Sequence, residues 1–262
     1  MPKFAANLTM LFNEVPFIQR FEAAARAGFS AVEYMFPYQE DLDGIARALR
    51  EHKLTQALFN LPAGNWTAGD RGIAADPARR EEFRASVHQA VEIARRFGCR
   101  RLNCLVGKQL DGVPAREQWA SLVDNMRFAA AALDRAGIML LVEPVNTYDI
   151  PGFLLSSSAS AVHVLEETAA ANARLQYDVY HMQRMEGNLV ATMRGVQRWI
   201  GHVQVADAPD RHEPGTGEIN FPFVLRSLDA LGYEGHVGLE YRPSGRTEDS
   251  LAWIEAMGFR RH

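Results

Sequence analysis

Cysteine is scarce: Cys99 and Cys104 are the only two in 262 residues. Two thiols cannot build a disulfide framework, and their scarcity suits a reducing compartment, so the cytoplasm is the expected location. They stand at a helix-to-strand junction, where two buried free thiols are expected. Long hydrophobic runs are also missing. No apolar stretch approaches the ~18 residues that a membrane span requires. The opening MPKFAANLTM lacks a charged segment followed by an apolar one, so neither a signal peptide nor a membrane anchor is expected. Blocks of like charge are absent as well. The 28 Lys and Arg against 32 Asp and Glu give a net charge of −4, which favours neither nucleic acid nor an anionic membrane as a partner. Histidine is limited to eight, which disfavours a multi-metal centre built on histidines. No low-complexity segment or internal repeat is visible.

What is present is an alternation. FAANL at 4–8 reads as a first strand. Residues 14–27 place Phe17, Phe21, Ala24 and Ala25 on one helical face, and Gly28 follows as a helix-ending residue. AVEYMF reads as a strand, DLDGIARALREH as an amphipathic helix and LTQALFN as a third strand. No hairpin signal separates these strands, so the sheet is parallel. The longest loop, NLPAGNWTAGDRGIAAD at 60–76, is rich in glycine and is expected to act as a lid around Trp66. Asp76 and Pro77 then open a helix as N-cap and first residue, with Phe83, Val87, Val91 and Ala94 as its buried stripe. RRLNCLVG, IMLLVE, RLQYD, HVQVA and HVGLE supply five more strands. Helices are expected through Trp119, Leu122, Met126 and Leu133, near 156–170, from about 189, over FPFVLRSLDALG and around 248–257. Eight strand–helix units with no linker predict one (β/α)8 TIM barrel spanning residues 1–262, close to the ~250 that the fold needs.

Four acidic or amide residues stand at or near the ends of apolar runs in the second half: Glu143, Asp178, Gln204 and Glu240. They are 35, 26 and 36 residues apart, near the ~30 of one strand-plus-helix unit. Closing the barrel would bring all four to one mouth. One polar residue where a strand meets a loop is ordinary; four in register are not. Three carboxylates and an amide oxygen are hard donors, suited to Mg²⁺ or Mn²⁺.

The segments FAANLTMLF, LPAGNWTAGDRGIA, LNCLVGK, VEPVN, YDVYHMQRMEG and DRHEPGTGEIN closely resemble the hydroxypyruvate isomerase family, a branch of the xylose-isomerase-like TIM barrels. The resemblance covers essentially the whole chain. A sister group, the 2-oxo-tetronate isomerases, shares the opening segment and DRHEP…GEIN, while the middle of this chain is more similar to the hydroxypyruvate side. The resemblance implies metal ligation by Glu143, Asp178, Gln204 and Glu240, the four already selected, and proton transfer by Glu143 and Glu240. It implies a small 2-oxo acid or sugar acid as substrate. His181, three residues after Asp178, matches a histidine that contacts a substrate oxygen in related sugar epimerases.

That chemistry moves a carbonyl between neighbouring carbons through an enediolate. A divalent cation stabilises the developing oxyanion, and two glutamates serve as acid and base. The substrate carboxylate needs a cation. Arg71 in the long loop and Lys108 beyond the fourth strand are the candidates, with solvated surface charge as the plainer reading for each; Arg211 is a weaker third. Glu33 is placed at the mouth or beside Arg71, and His202 in the core or behind Gln204. Three other readings stand beside hydroxypyruvate isomerisation. They are 2-oxo-tetronate isomerisation, a metal-dependent phosphodiesterase of the DNA-repair type, and a non-catalytic sugar-acid binder. The sequence is also compatible with a homo-oligomer.

Overall fold

Each apolar run is followed by an amphipathic helix, and a strand buried on both faces is stable only where a helix covers its outer face. The computed structural model, which describes residues 1–261, resolves this requirement as a closed ring of eight parallel strands. They are β1 (Lys3–Asn7), β2 (Ala31–Glu33), β3 (Thr55–Asn60), β4 (Arg101–Cys104), β5 (Met139–Val142), β6 (Ala173–Asp178), β7 (Ile200–Val205) and β8 (His236–Leu239). The ring closes through β1 against β8, with Lys3 beside His236 and Ala6 beside Leu239. The helices are α1 (Arg20–Arg26), α2 (Leu42–Glu51), α3 (Arg80–Phe97), α4 (Ala115–Asp134), α5 (Ser158–Thr168), α6 (Val179–Met185), α7 (Leu189–Val196), α8 (Phe221–Ala230), α9 (Thr247–Ser250) and α10 (Ala252–Ala256). Among the described residues no helix is long and apolar enough to cross a membrane.

The main apolar core lies between strands and helices. In α3, Phe83, Val87, Ala90, Val91 and Ala94 recur at helical spacing and are all buried; Gly98 ends the helix at φ 64°. Burying a phenylalanine such as Phe83 contributes roughly 2–3 kcal/mol. The inside of the ring is different. Ala5, Ala31 and Ala57 form their own small cluster, and the interior positions nearer the mouth are polar. Strand residues alternate in and out with period two. On β7, Val203 and Val205 belong to the outer core while His202 and Gln204 bond across the ring to Glu33. A one-residue slip of β7 would put valines in the mouth and amides in the core.

Three local readings change. The first helix is shorter than the 14–27 expected: a single 3-10 turn at Phe17–Gln19 precedes α1, because Pro16 disfavours helix before it. VYHMQRM, unassigned in the sequence, forms α6, started by Asp178 as its N-cap. The 60–76 loop is not free along its length. Leu61, Ala63, Ile73, Ala74 and Ala75 are buried, and the amides of Leu61 and Ala75 bond to Asn103 and Val106 carbonyls. At Gly72, φ is 114° and an added Cβ would stand 1.9 Å from the Leu105 carbonyl oxygen, so only glycine allows this seam. The more exposed part is the tip around Asn65–Asp70.

Candidate active site

Every strand brings an acidic or amide side chain to the carboxyl end of the barrel. Asn7, Glu33, Asn60 and Asn103 come from β1 to β4. Glu143 follows β5, Asp178 ends β6, Gln204 lies on β7, and Glu240 follows β8. All eight are buried. Above them is a cavity of about 300 Å³. Its lining includes Asn7, Asn60, Glu143, Gln176, His181, Gln204, Arg211 and Glu240, with Met10, Met35, Leu105, Val145 and Trp66 as apolar walls. The four residues selected from the second half of the sequence thus meet at one mouth. Of the matching set from the first half, Glu33 is the one the sequence placed at the mouth; Asn7, Asn60 and Asn103 were missed, although FAAN, ALFN and RLN carry the same signal of an apolar run reaching an amide.

The acids are held from several sides. Glu143 accepts a 2.9 Å hydrogen bond from Asn103 Nδ2 through Oε2, while its Oε1 lies 3.8 Å from His181 Nε2. Asp178 Oδ1 accepts from the Tyr180 and His181 amides at 2.7 and 3.2 Å, as the N-cap of α6. Its Oδ2 is buried with no partner, 3.7 Å from His181 Nε2. Glu240 accepts from Arg211 Nη2 at 2.7 Å and from Asn7 Nδ2 at 3.3 Å. Gln204 donates from Nε2 to Glu33 Oε1 at 2.7 Å, and its Oε1 accepts from Gln176 Nε2 at 2.6 Å. Glu33 completes this floor by pairing with His202 Nε2 at 2.7 Å and accepting from Asn7 Nδ2 at 3.1 Å. Gly238 on β8 makes room for it: an added Cβ would lie 2.2 Å from the Glu33 carboxylate.

Charge at the mouth is unbalanced. Burial pushes the Glu143 carboxyl well above its ordinary value, and Glu240 and Asp178 push the same way. Burial likewise raises Asp178, and raises Glu240 to about 8 against the pull of Arg211. Burial opposes a charged Arg211, but Glu240, Asp178, Asp149 and Glu143 hold its pKa above the usual arginine value. Burial and Arg211 push His181 well below 6.5, so its ring is neutral. One guanidinium cannot keep three buried carboxylates ionised. A divalent cation would supply the missing two charges, and the partnerless Asp178 Oδ2 is a donor already in place. Ligand atoms of Glu143, Asp178 and His181 lie within 4.8 Å of one another, so this group could hold a metal ion. The hard oxygen donors of Glu143, Asp178, Gln204 and Glu240 fit such an ion.

The three cations stand in different places. Arg211, given least weight in the sequence, reaches furthest in. Its side chain is 13% exposed, lies over the Tyr180 ring, and faces Asp149 at 3.7 Å as well as Glu240. The loop that carries it is folded around Asp207, whose two oxygens accept from the amides of Ala208, Gly215, Gly217 and Ile219. Arg211 itself adopts φ 61°. Arg71 lines the cavity at its rim, stacked 4.0 Å over Trp66 and bonded to the Trp66 and Asp70 carbonyls. Lys108 does not line the cavity; its backbone pairs with Phe153 and its carbonyl accepts from Gln118. Asn146 and Asp149, also missed in the sequence, bond to His181 and Tyr180.

Comparison with known proteins agrees with this geometry. The family described as xylose isomerase-like TIM barrel matches residues 21–257. The hydroxypyruvate isomerase of Escherichia coli K12 is 48% identical over 255 residues, covering 97% of this chain and 99% of that protein. A 2-oxo-tetronate isomerase of Cupriavidus necator is 41% identical, covering 97% and 98%. A crystal structure from Brucella melitensis, described as an AP endonuclease of family 2, superimposes with a TM-score of 0.95 at 44% identity, covering 98% of this chain and 99% of that one.

Proposed function

The chain belongs to the hydroxypyruvate isomerase family of xylose isomerase-like TIM barrels and is an isomerase; from that premise we propose that it interconverts hydroxypyruvate and tartronate semialdehyde by proton transfer through an enediolate. The observation that carries the mechanism is the charge deficit at the mouth: three buried carboxylates facing one guanidinium. Glu143, Asp178, Gln204 and Glu240 would hold Mg²⁺ or Mn²⁺, which supplies Lewis-acid stabilisation of charge on the substrate oxygens.

The chain's own residues do the rest. Glu143 and Glu240, three strands apart in the ring, are the acid and base. One takes a proton from C3 of hydroxypyruvate, and the other returns one to C2. The hydroxyl proton passes from O3 to O2, so the overall change is an isomerisation. Burial raises the Glu240 carboxyl in the metal-free mouth, and beside a bound cation it would return toward the carboxylate form that a base requires. His181 donates from Nε2 to a substrate oxygen. Arg211 binds the substrate carboxylate, with Arg71 as a second, outer cation. The Gln204 amide is held at both ends, its Nε2 donating to Glu33 Oε1 and its Oε1 accepting from Gln176 Nε2. The apolar walls exclude water from the enediolate.

2-Oxo-tetronate isomerisation is the second reading, supported by the relative at 41% identity; it uses the same centre and needs room for one more carbon. A phosphodiesterase reading, which calls for several histidine-held metals and a basic nucleic-acid face, is disfavoured by only eight histidines and a net charge of −4. A sugar-acid binder without catalysis has no need of the retained pair Glu143 and Glu240. Two buried free thiols, Cys99 and Cys104, support a reducing, cytoplasmic setting. The test is a substrate panel: purified protein with Mg²⁺ or Mn²⁺, offered hydroxypyruvate and 2-oxo-tetronates, with products followed by NMR. Turnover of hydroxypyruvate, abolished by EDTA and restored by either metal, is expected. Activity confined to 2-oxo-tetronates would select the second reading, and full activity in protein shown by elemental analysis to be metal-free would overturn the metal's part.

A further inference from the structure

Asn146 lies in the loop after β5, is fully buried, and has both side-chain hydrogens and its side-chain oxygen accounted for. Its Oδ1 accepts from the backbone amides of Tyr148 and Asp149, at 3.1 and 2.8 Å. Backbone N–H groups only donate, so this end of the side chain must be the oxygen, and a flipped amide would set NH₂ against two N–H groups. The nitrogen end is thereby fixed. One Nδ2 hydrogen goes to Asp149 Oδ2 at 3.1 Å, and the other points at His181 Nδ1, 2.6 Å away. A donor facing Nδ1 requires a lone pair there. The proton of a neutral His181 must therefore sit on Nε2, and an imidazolium would bring two N–H groups into collision.

We propose that Asn146 is a positioning residue that locks His181 in the Nε2–H tautomer, making it a hydrogen-bond donor at the mouth rather than a metal ligand. Nε2 is the atom that faces Glu143 Oε1 at 3.8 Å and Asp178 Oδ2 at 3.7 Å. On distance alone it could complete a Glu–Asp–His metal triad. Binding a metal needs a lone pair on Nε2, and that lone pair exists only if the proton moves to Nδ1, where Asn146 forbids it. The ligand set is then left to the oxygens, and Nε2–H is free for an oxygen that gains charge during reaction. That last step rests on the proposed reaction at this mouth; the tautomer does not.

The experiment is ¹⁵N NMR of histidine-labelled protein at neutral pH, in EDTA and again with Mg²⁺, with His181 assigned by the signal lost in His181→Gln. A protonated and an unprotonated ring nitrogen resonate far apart, so the tautomer is read directly. The expected result is a protonated Nε2 and an unprotonated Nδ1 in both samples. A protonated Nδ1, or an Nε2 signal shifted to that of a metal-bound nitrogen when Mg²⁺ is added, would overturn the proposal. Asn146→Asp places a carboxylate oxygen against Nδ1 and should invert the pattern to Nδ1–H. If the reaction proposed here is correct, kcat falls by about 10²–10³, the usual cost of a lost donor to a developing oxyanion. An inverted tautomer with unchanged kcat would leave the lock standing and remove His181 from the reaction. An uninverted tautomer in folded Asn146→Asp protein would overturn the lock itself.

Discussion

Raising the pH of the metal-free protein from 6.5 to 8 should weaken the fold, and Glu240 sets the slope. Its carboxyl is buried and held at about 8, against 4.5 when exposed in the unfolded chain. Below pH 4.5 both states carry the proton and its full stabilisation is present. Between 4.5 and 8 the unfolded chain gives up the proton and the folded chain keeps it, so stability falls by about 1.4 kcal/mol per pH unit. From 6.5 to 8 the loss is between about 1 and 2 kcal/mol from this one group, because the folded carboxyl itself begins to ionise near 8. Glu143, also raised, adds to it in the same direction. His181 and His236 are both held below 6.5 by burial, and their effect has the opposite sign; it fades as the unfolded rings lose their protons just above 6.5, so it offsets only the first part of the window. Cys99 and Cys104, pushed up to about 12 from 9.0 by burial, enter only above the window. The assay is urea unfolding at four pH values between 6.5 and 8 in EDTA-treated buffer. Glu240→Gln should lose its share of the slope, and Mn²⁺ at pH 8 should recover stability by displacing the need for the proton. Stability that is flat or rises across the window would refute the picture of a mouth short of positive charge.

Replacing Glu143 or Glu240 by Gln keeps shape and one oxygen donor, so kcat should fall by about 10²–10⁴ with folding retained, as steady-state kinetics and circular dichroism would show. Arg211→Met removes the cation deepest in the mouth; a charge-assisted bond is worth about 1.5–3 kcal/mol, which predicts a loss of about 10- to 150-fold in kcat/KM. Arg71→Ala should mainly raise KM, by less, and Lys108→Ala should leave both constants unmoved; equal effects of all three would refute this ordering. Limited proteolysis should find the Asn65–Asp70 tip protected by a substrate analogue, while the buried flanks of the same loop resist cleavage with or without it.

The barrel was legible because its signals are local and repeated: apolar runs of strand length, helical stripes such as Phe83, Val87, Val91 and Ala94, and no hairpin turns between strands. The second-half acids were legible because each stands where a run meets a loop. Their first-half partners looked ordinary because Asn7, Asn60 and Asn103 carry no charge. Glu33 was noticed, but its contacts with His202 and Gln204 span the ring and leave no trace in chain order. Arg211 was undervalued for a similar reason. Its position depends on Asp207 gathering four backbone amides of one loop, and on a left-handed backbone at Arg211 itself, neither of which spacing reveals. Lys108 drew attention as a lysine after a strand, yet β4 ends at Cys104, and by Lys108 the backbone pairs with Phe153 away from the cavity lining. The lid expectation rests on the length and glycine content of the 60–76 loop, and spacing alone does not reveal that one of those glycines, Gly72, lets two backbones touch.

The central claim, proton transfer between two glutamates at this mouth, is tested most directly by isotope content. Active protein is given hydroxypyruvate in D₂O under single-turnover conditions, and the product is examined by NMR. The account predicts deuterium on the product carbon, because a carboxylic acid exchanges its proton with solvent while the enediolate persists. Product free of deuterium, with activity surviving in both Glu143→Gln and Glu240→Gln, would contradict it and leave the two glutamates as oxygen donors alone.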